Sequence, residues 1–266
     1  MTDIRASLVK QLRDETGAGM MDCKRALEET GGDLEAAKKL LRERGMAAAG
    51  QRSGRTTEGK VGYRIAEDRS RGTMVAVGCE TEPVSNNEDF LAYARKVLEA
   101  VEADGPGAEE RLEDERLDLV ARIRETITVV ERVRFEAVDG AVIEGYAHAP
   151  ANKFGALVHL RGGSAELARQ IAMHVVASNP QWVGREDVPE DVVTAEREIY
   201  ANSDEVRSKP EQAREKIVEG MLGKRFFAAQ VLTDQPWIHD TGKTVGQVLA
   251  GEGAEVLEFA RLALAG

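Results

Sequence analysis

The sequence predicts an α+β fold, and three features of its periodicity predict it. Residues 1–50 place apolar side chains at helical spacing between glycine breaks. Residues 60–161 contain pairs of segments whose apolar residues alternate every second position, and each pair leads into a capped helical pattern. Residues 186–223 are helical throughout. The architecture that follows is an N-terminal three-helix module, a two-part core with antiparallel sheets, and an inserted antiparallel helical hairpin, or coiled coil. The implied divisions are 1–50 for the module, 51–59 for a linker, 60–140 and 141–266 for the two core halves, and 186–223 for the hairpin.

In the module, Ile4, Leu8 and Leu12 share one face of a first helix, which Gly17 ends and Gly19 turns tightly. Met20, Cys23 and Leu27 form the inner stripe of a second, leaving Lys24 and Arg25 outward. Asp33 caps a third, with Leu34, Ala37 and Leu41 inward and Gly45 as its close. A bundle this small resembles the ubiquitin-associated type. The stretch GQRSGRTTEG (50–59) has no apolar residue and reads as the linker. Between Glu35 and Lys60 seven basic residues face three acidic ones, an excess suited to an acidic partner surface or to a solvated helix face.

Val61, Tyr63 and Ile65, then Val75, Val77 and Cys79, alternate as two strands of a hairpin turning at 68–72. Ser85-Asn86-Asn87-Glu88 reads as a capping box with Ser85 as N-cap, opening a helix that buries Phe90, Ala94, Val97 and Val101. Gly105-Pro106-Gly107 ends it, an acidic helix runs to about Thr126, and Val129, Val133, Phe135 and Ala137 make a third strand. The second half repeats the plan loosely. Strands over 142–149 and 155–161 are joined across 150–153, and Ser164 caps a helix with Leu167, Ile171 and Val175 inward, ended by Asn179-Pro180.

In the hairpin Val192 and Ile199 oppose Ala213, Ile217 and Met221, with Pro189 and Pro210 in the first turns. Phe227, Ala229 and Val231 return to strand spacing, and the loop 233–243 exposes Trp237 and His239. Thr244 and Gln247 form a second capping box. The last segment fits helix or strand, through Val256, Phe259 and Ala263 or through Ala260, Leu262 and Leu264.

A net charge of −11 and a pI near 5.1 argue against a nucleic-acid binder, which needs clustered cations. Cys23 and Cys79 are too far apart for a metal or redox motif, and sit where an apolar side chain is buried. Free buried thiols, no apolar run of membrane length and no signal segment imply a cytoplasmic protein. His148, His159, His174 and His239 lack zinc-ligand spacing. No nucleophile elbow, phosphate loop or dinucleotide motif occurs, and GAGMMDCK lacks the lysine-serine of a phosphate loop. The expectation is a binding protein without cofactor, metal or covalent chemistry.

The run TGAGMMDCKRAL with GDLEAAKKLLRERG, then CETEPVSNNEDF (79–90), HLRGGSAELARQIAMHVVASNP (159–180) and TGKTVGQVL (241–249), together resemble elongation factor Ts, the guanine-nucleotide exchange factor family of the translation GTPase EF-Tu. The resemblance spans nearly the whole chain. It implies EF-Tu as protein partner, with a homodimer or an EF-Tu heterodimer or heterotetramer as the assembly, and no direct nucleic-acid or membrane contact. It implies that the final segment is a strand and that the helical insertion projects as a coiled coil, where the residues alone equally allow a hairpin packed on its own core. It places Lys24 on the module's contact helix and Phe154, Gly155, His174, Ile238 and His239 at the partner interface. The family's Thr-Asp-Phe-Val turn, whose phenylalanine helps dislodge Mg²⁺ from EF-Tu, here reads Thr81-Glu82-Pro83-Val84. Proline stands where the aromatic wedge is expected. The reading from another class is an adaptor or chaperone-like module that binds a protein without changing nucleotide lifetime.

Overall fold

The computed structural model describes residues 5–16, 18–50 and 54–264, and for 46–50 the backbone. Ile4, Gly17 and residues 51–53 of the linker lie outside the described residues. The N-terminal helices are α1 (Ala6–Thr16), α2 (Met20–Glu29) and α3 (Leu34–Gly50), enclosing Val9, Leu12, Cys23, Ala26, Leu27 and Ala37. Asp33 caps α3 by accepting from the Ala36 N–H at 3.0 Å. Two expectations need correction. Met20 is 49% exposed, because the first turn of α2 points it away from the bundle and Ala26 takes its place inside. Gly45 does not end α3, which continues to Gly50 with Gly45 pressed against the next domain's helix: a Cβ there would come within 2.9 Å of Ala121.

The first sheet has the order β1-β2-β3, from β1 (Glu58–Ile65), β2 (Arg71–Cys79) and β3 (Thr128–Glu136), all antiparallel. β1 thus begins inside the stretch read as linker. One face of this sheet packs on α5 (Glu88–Asp104) and α6 (Glu113–Ile123) through Val75, Val77, Cys79, Phe90, Val97 and Val101. Its other face meets the second sheet through Val61, Met74, Ala76 and Phe135. The apolar residues of β3 do not share a face as their spacing suggests. The register with β2 slips at Ala76/Val77, so Val129 joins the helix side while Val133 and Phe135 join the intersheet side.

Between β2 and α5 lies one helical turn, α4 (Glu82–Ser85). The cap of α5 is Asn87, not Ser85: its side chain accepts from the Asp89 and Phe90 N–H groups, at 2.9 and 3.3 Å. Proline in the first turn of α4 starts a helix earlier than expected, and the Ser85 hydroxyl donates back to Glu82 O at 2.8 Å within it.

The second sheet has the order β4-β5-β8, from β4 (Ala141–Ala147), β5 (Phe154–Arg161) and β8 (Glu255–Ala263). The terminal segment is therefore the strand the resemblance implied. α7 (Ala165–Ser178) covers this sheet, capped by Ser164, whose hydroxyl accepts from Leu167 N–H at 3.1 Å, and packs Leu167, Ile171 and Val175 into the core. The helical insertion comprises α8 (Glu190–Ala201), α9 (Asp204–Arg207) and α10 (Glu211–Met221). It has a cluster of its own, with Val188, Val206, Val218, Met221, Leu222, Phe226 and Phe227 buried. Ile199 is 60% exposed and does not face α10; Val192, Val193 and Tyr200 make that contact. Phe227, Ala229 and Val231 are not a strand. A π-turn over Leu222–Phe227 runs on into α11 (Ala228–Gln230), because Leu222, Phe226 and Phe227 seat against the hairpin. The chain returns to the sheet through β6 (Pro236–Trp237), β7 (Asp240–Thr244) and α12 (Val245–Glu252), the last opened by the Thr244–Gln247 capping box.

Candidate functional site

The strand β2 is buried along nearly its whole length, so its end is fixed, and the chain leaves it into solvent at the α4 turn. Thr81, Glu82 and Pro83 are exposed; Val84 tucks under against the α5–α6 core. What holds this turn is a carboxylate from 44 residues away. Glu125 accepts from Glu80 N–H at 3.1 Å, from Thr81 N–H at 3.0 Å and from the Thr81 hydroxyl at 2.6 Å. Glu80 answers by accepting from Thr126 N–H at 2.7 Å. Cys79 lies directly beneath, donating from Sγ to Thr81 O at 3.3 Å. Burial, reinforced by the Glu125 charge, pushes its thiol up to about 12, so it stays protonated and inert. The result is an exposed prolyl turn on a rigid base.

A second exposed element is the bend between β6 and β7, which presents Ile238 and His239. Trp237 before it is not exposed as expected but 5% exposed, because His174 from α7 stacks on its indole with ring centroids 5.3 Å apart. His239 meets the same indole edge-on, with ring centroids 4.9 Å apart. His174 is fully buried; its Nε2 lies 2.9 Å from Gln235 Oε1, and its Nδ1 3.4 Å from the Ile238 backbone N. Burial lowers its pKa, outweighing the Gln235 contact, with the nearby His239 adding to the lowering. His174, Ile238 and His239 are therefore one assembly, with His174 its internal support.

Phe154 opens β5, half-buried against the same core, with the Arg261 guanidinium 5.2 Å over its ring. Gly155 is buried at the junction of the two sheets, where a Cβ would come within 2.7 Å of Val61 and 3.1 Å of Met74. Its place is close sheet packing. Lys24 lies on the solvent side of α2, 3.7 Å from Glu28, next to the exposed Met20 and Met21. The Thr81–Val84 turn rests on the first sheet's core and the Ile238–His239 bend on the second's.

A cleft of about 1020 Å³ separates the helical module from α6, and ion pairs of Arg42 with Asp118, Arg44 with Glu29 and Arg25 with Asp22 neutralise its walls. Among the described residues no cluster of three His, Cys, Asp or Glu side chains could hold a metal, and no helix is long and apolar enough to cross a membrane. Glu125 and Gln235, which hold the two exposed elements, were not found from sequence. A carboxylate or amide that acts across 44 or 61 residues leaves no local spacing to read.

A family model described as Elongation factor TS matches residues 80–265. Three proteins named Elongation factor Ts are each 41% identical, and each alignment covers 97% of this chain and 91% of the relative. They come from Thioalkalivibrio sulfidiphilus, Methylococcus capsulatus and Alkalilimnicola ehrlichii.

Proposed function

The chain belongs to the elongation factor Ts family and is a translation elongation factor; from that premise we propose that it binds EF-Tu in its GDP form and promotes exchange of GDP for GTP. No bond is made or broken in such a step. The factor binds best to a partner state that holds nucleotide poorly, so its binding free energy populates that state and GDP leaves. By linkage, nucleotide weakens the factor's binding by the same ratio, and incoming GTP expels it. The resting unit in this reading is a heterodimer of the factor with EF-Tu.

The residues divide the work by position. The helical module docks through the face bearing Lys24, and the second sheet's surface docks through Ile238 and His239, with Phe154 and His174 supporting. The Thr81–Val84 turn is then the element that presses on the partner's Mg²⁺ and phosphate region, loosening both. A turn that pushes must lose little of its shape under load. The observation that carries the reading is therefore the exposed turn anchored at its base by three hydrogen bonds to Glu125. The experiment is release of fluorescent GDP from purified EF-Tu with and without the protein. Faster release at substoichiometric factor, with no GTP hydrolysed by the factor alone, is expected. An off-rate unchanged at micromolar factor would remove the exchange reading in favour of an adaptor.

A further inference from the structure

Gln235 is 3% exposed and uses every polar atom it has. Its side-chain nitrogen donates to two backbone carbonyls, Ala229 O at 2.8 Å and Ser178 O at 3.2 Å. Both carbonyls are acceptors only, so the amide can be turned one way: NH₂ towards them and Oε1 towards His174. Oε1 is also an acceptor only, so the His174 Nε2 at 2.9 Å must carry the ring proton. A neutral imidazole then has its lone pair on Nδ1, the atom 3.4 Å from the Ile238 N–H. The Gln235 backbone is pinned as well, by Val231 O and Leu232 O on its N–H and by the Val245 N–H on its carbonyl.

We infer that Gln235 is a positioning residue for partner binding: by fixing the proton of His174 on Nε2, it lets Nδ1 hold the Ile238 N–H and so sets the shape in which Ile238 and His239 meet EF-Tu. The inference rests on the exchange reading for its consequence, not for its chemistry. The relay starts at two places, the end of α7 at Ser178 and the base of the helical hairpin at Ala229. Movement of the hairpin base would therefore reach the Ile238 bend through two side chains, Gln235 and His174. Three neutral groups, an amide, an imidazole and a peptide N–H, transmit it with no charge buried along the way.

The test uses the full chain with nitrogen-15-labelled histidine, assigned against His174→Gln. In the wild type the His174 ring should show a protonated Nε2 and an unprotonated Nδ1. Gln235→Glu keeps an acceptor for Nε2–H but places a carboxylate beside the ring, which draws a second proton onto Nδ1. That proton faces the Ile238 N–H donor to donor, so the ring signature should change to doubly protonated and Ile238 amide exchange should quicken. Gln235→Met removes the amide, and both tautomers should appear. Affinity for EF-Tu should fall about five- to tenfold in either variant, the loss of one or two hydrogen bonds' worth of order. Thermal unfolding of both variants separates this from global loss of fold. A wild-type ring protonated on Nδ1, or Gln235→Met with a single tautomer and undiminished affinity, would overturn the relay. A wild type that leaves GDP release unchanged overturns the exchange reading instead, and the ring signatures and Ile238 exchange would still decide the relay.

Discussion

The two exposed elements are supported in opposite ways. The Thr81–Val84 turn is held from outside the core, by a half-buried carboxylate that collects three donors near the surface. The Ile238–His239 bend is held from inside, by a fully buried neutral ring stacked on an indole and hydrogen-bonded to an amide. Charge suits a support that water can reach, because a carboxylate with unused lone pairs keeps its hydration there. It would be costly in the second place, where an uncompensated ion has no solvent. One exposed element is thus less tied to the fold's stability than the other.

The sharpest way to break that contrast is to remove each support. His174→Ala empties a buried ring and leaves Gln235 Oε1 and the Ile238 N–H without partners. Truncation of this kind costs about 3 kcal/mol, so urea or thermal unfolding should show a large loss and EF-Tu binding should weaken with it. Glu125→Ala comes next. Its donors on Thr81 and Glu80 lie near enough to the surface for water to replace the carboxylate, which limits the stability loss to about 1–1.5 kcal/mol. GDP release should nonetheless slow about tenfold, because the turn loses its base. Equal stability losses for the two variants would mean that the supports do not differ in kind.

Sequence made one of these elements more legible than the other, and the reason is physical. The position of the prolyl turn follows from Cys79 ending a strand and a helix starting soon after, both local patterns. The cap of α5 is less legible, because Ser85 and Asn87 can both cap a helix and the proline two residues before Ser85 decides for Asn87 by opening an earlier turn. Trp237 falls in a segment that reads as an exposed loop, and the partner that buries it is a histidine 63 positions away on α7. Phe227, Ala229 and Val231 fit a strand by spacing, but Phe227 and Ala229 lie in helix, with Phe227 seated in the hairpin's small core, and Val231 is extended with only an isolated bridge to Trp182. The β3 slip likewise depends on its pairing with β2 and not on its own residues. Alternation and caps are written locally; supports that cross the fold are not.

A smaller effect sharpens the contrast by pH. Burial lowers the pKa of His174 below its ordinary 6.5. Above 6.5 neither folded nor unfolded chain binds this proton, and the ring's full contribution is present. As pH falls below 6.5 the unfolded chain takes up the proton first, so stability is lost as pH falls through the folded pKa. The stability advantage of wild type over His174→Gln should therefore shrink on acidification below 6.5, measured by urea unfolding at a series of pH values. An advantage that grew on acidification would mean that His174 is charged in the fold and that the neutral support is wrong.

The smallest effect, and the most direct test of the turn, is at Pro83. It lies in the first turn of α4, where a missing N–H leaves no helical bond unmade, and its fixed φ stiffens an exposed segment that Glu125 already holds at one end. A buried phenylalanine contributes roughly 1.5–3 kcal/mol from apolar burial, and proline offers less surface, so a wedge built on proline gives up about 1 kcal/mol of push. That is roughly fivefold in rate. Pro83→Phe should thus speed GDP release several-fold at saturating factor. Pro83→Gly should slow it, because the glycine turn loses more conformational entropy on docking. Neither change touches a core contact, since Pro83 is exposed and Val84 carries the packing, so unfolding should move little in both. Stopped-flow release with the three proteins reads the outcome directly. Equal rates for proline, phenylalanine and glycine would show that the turn is a passive exit from β2, and would pass the displacing role to the Ile238–His239 bend and the helical module.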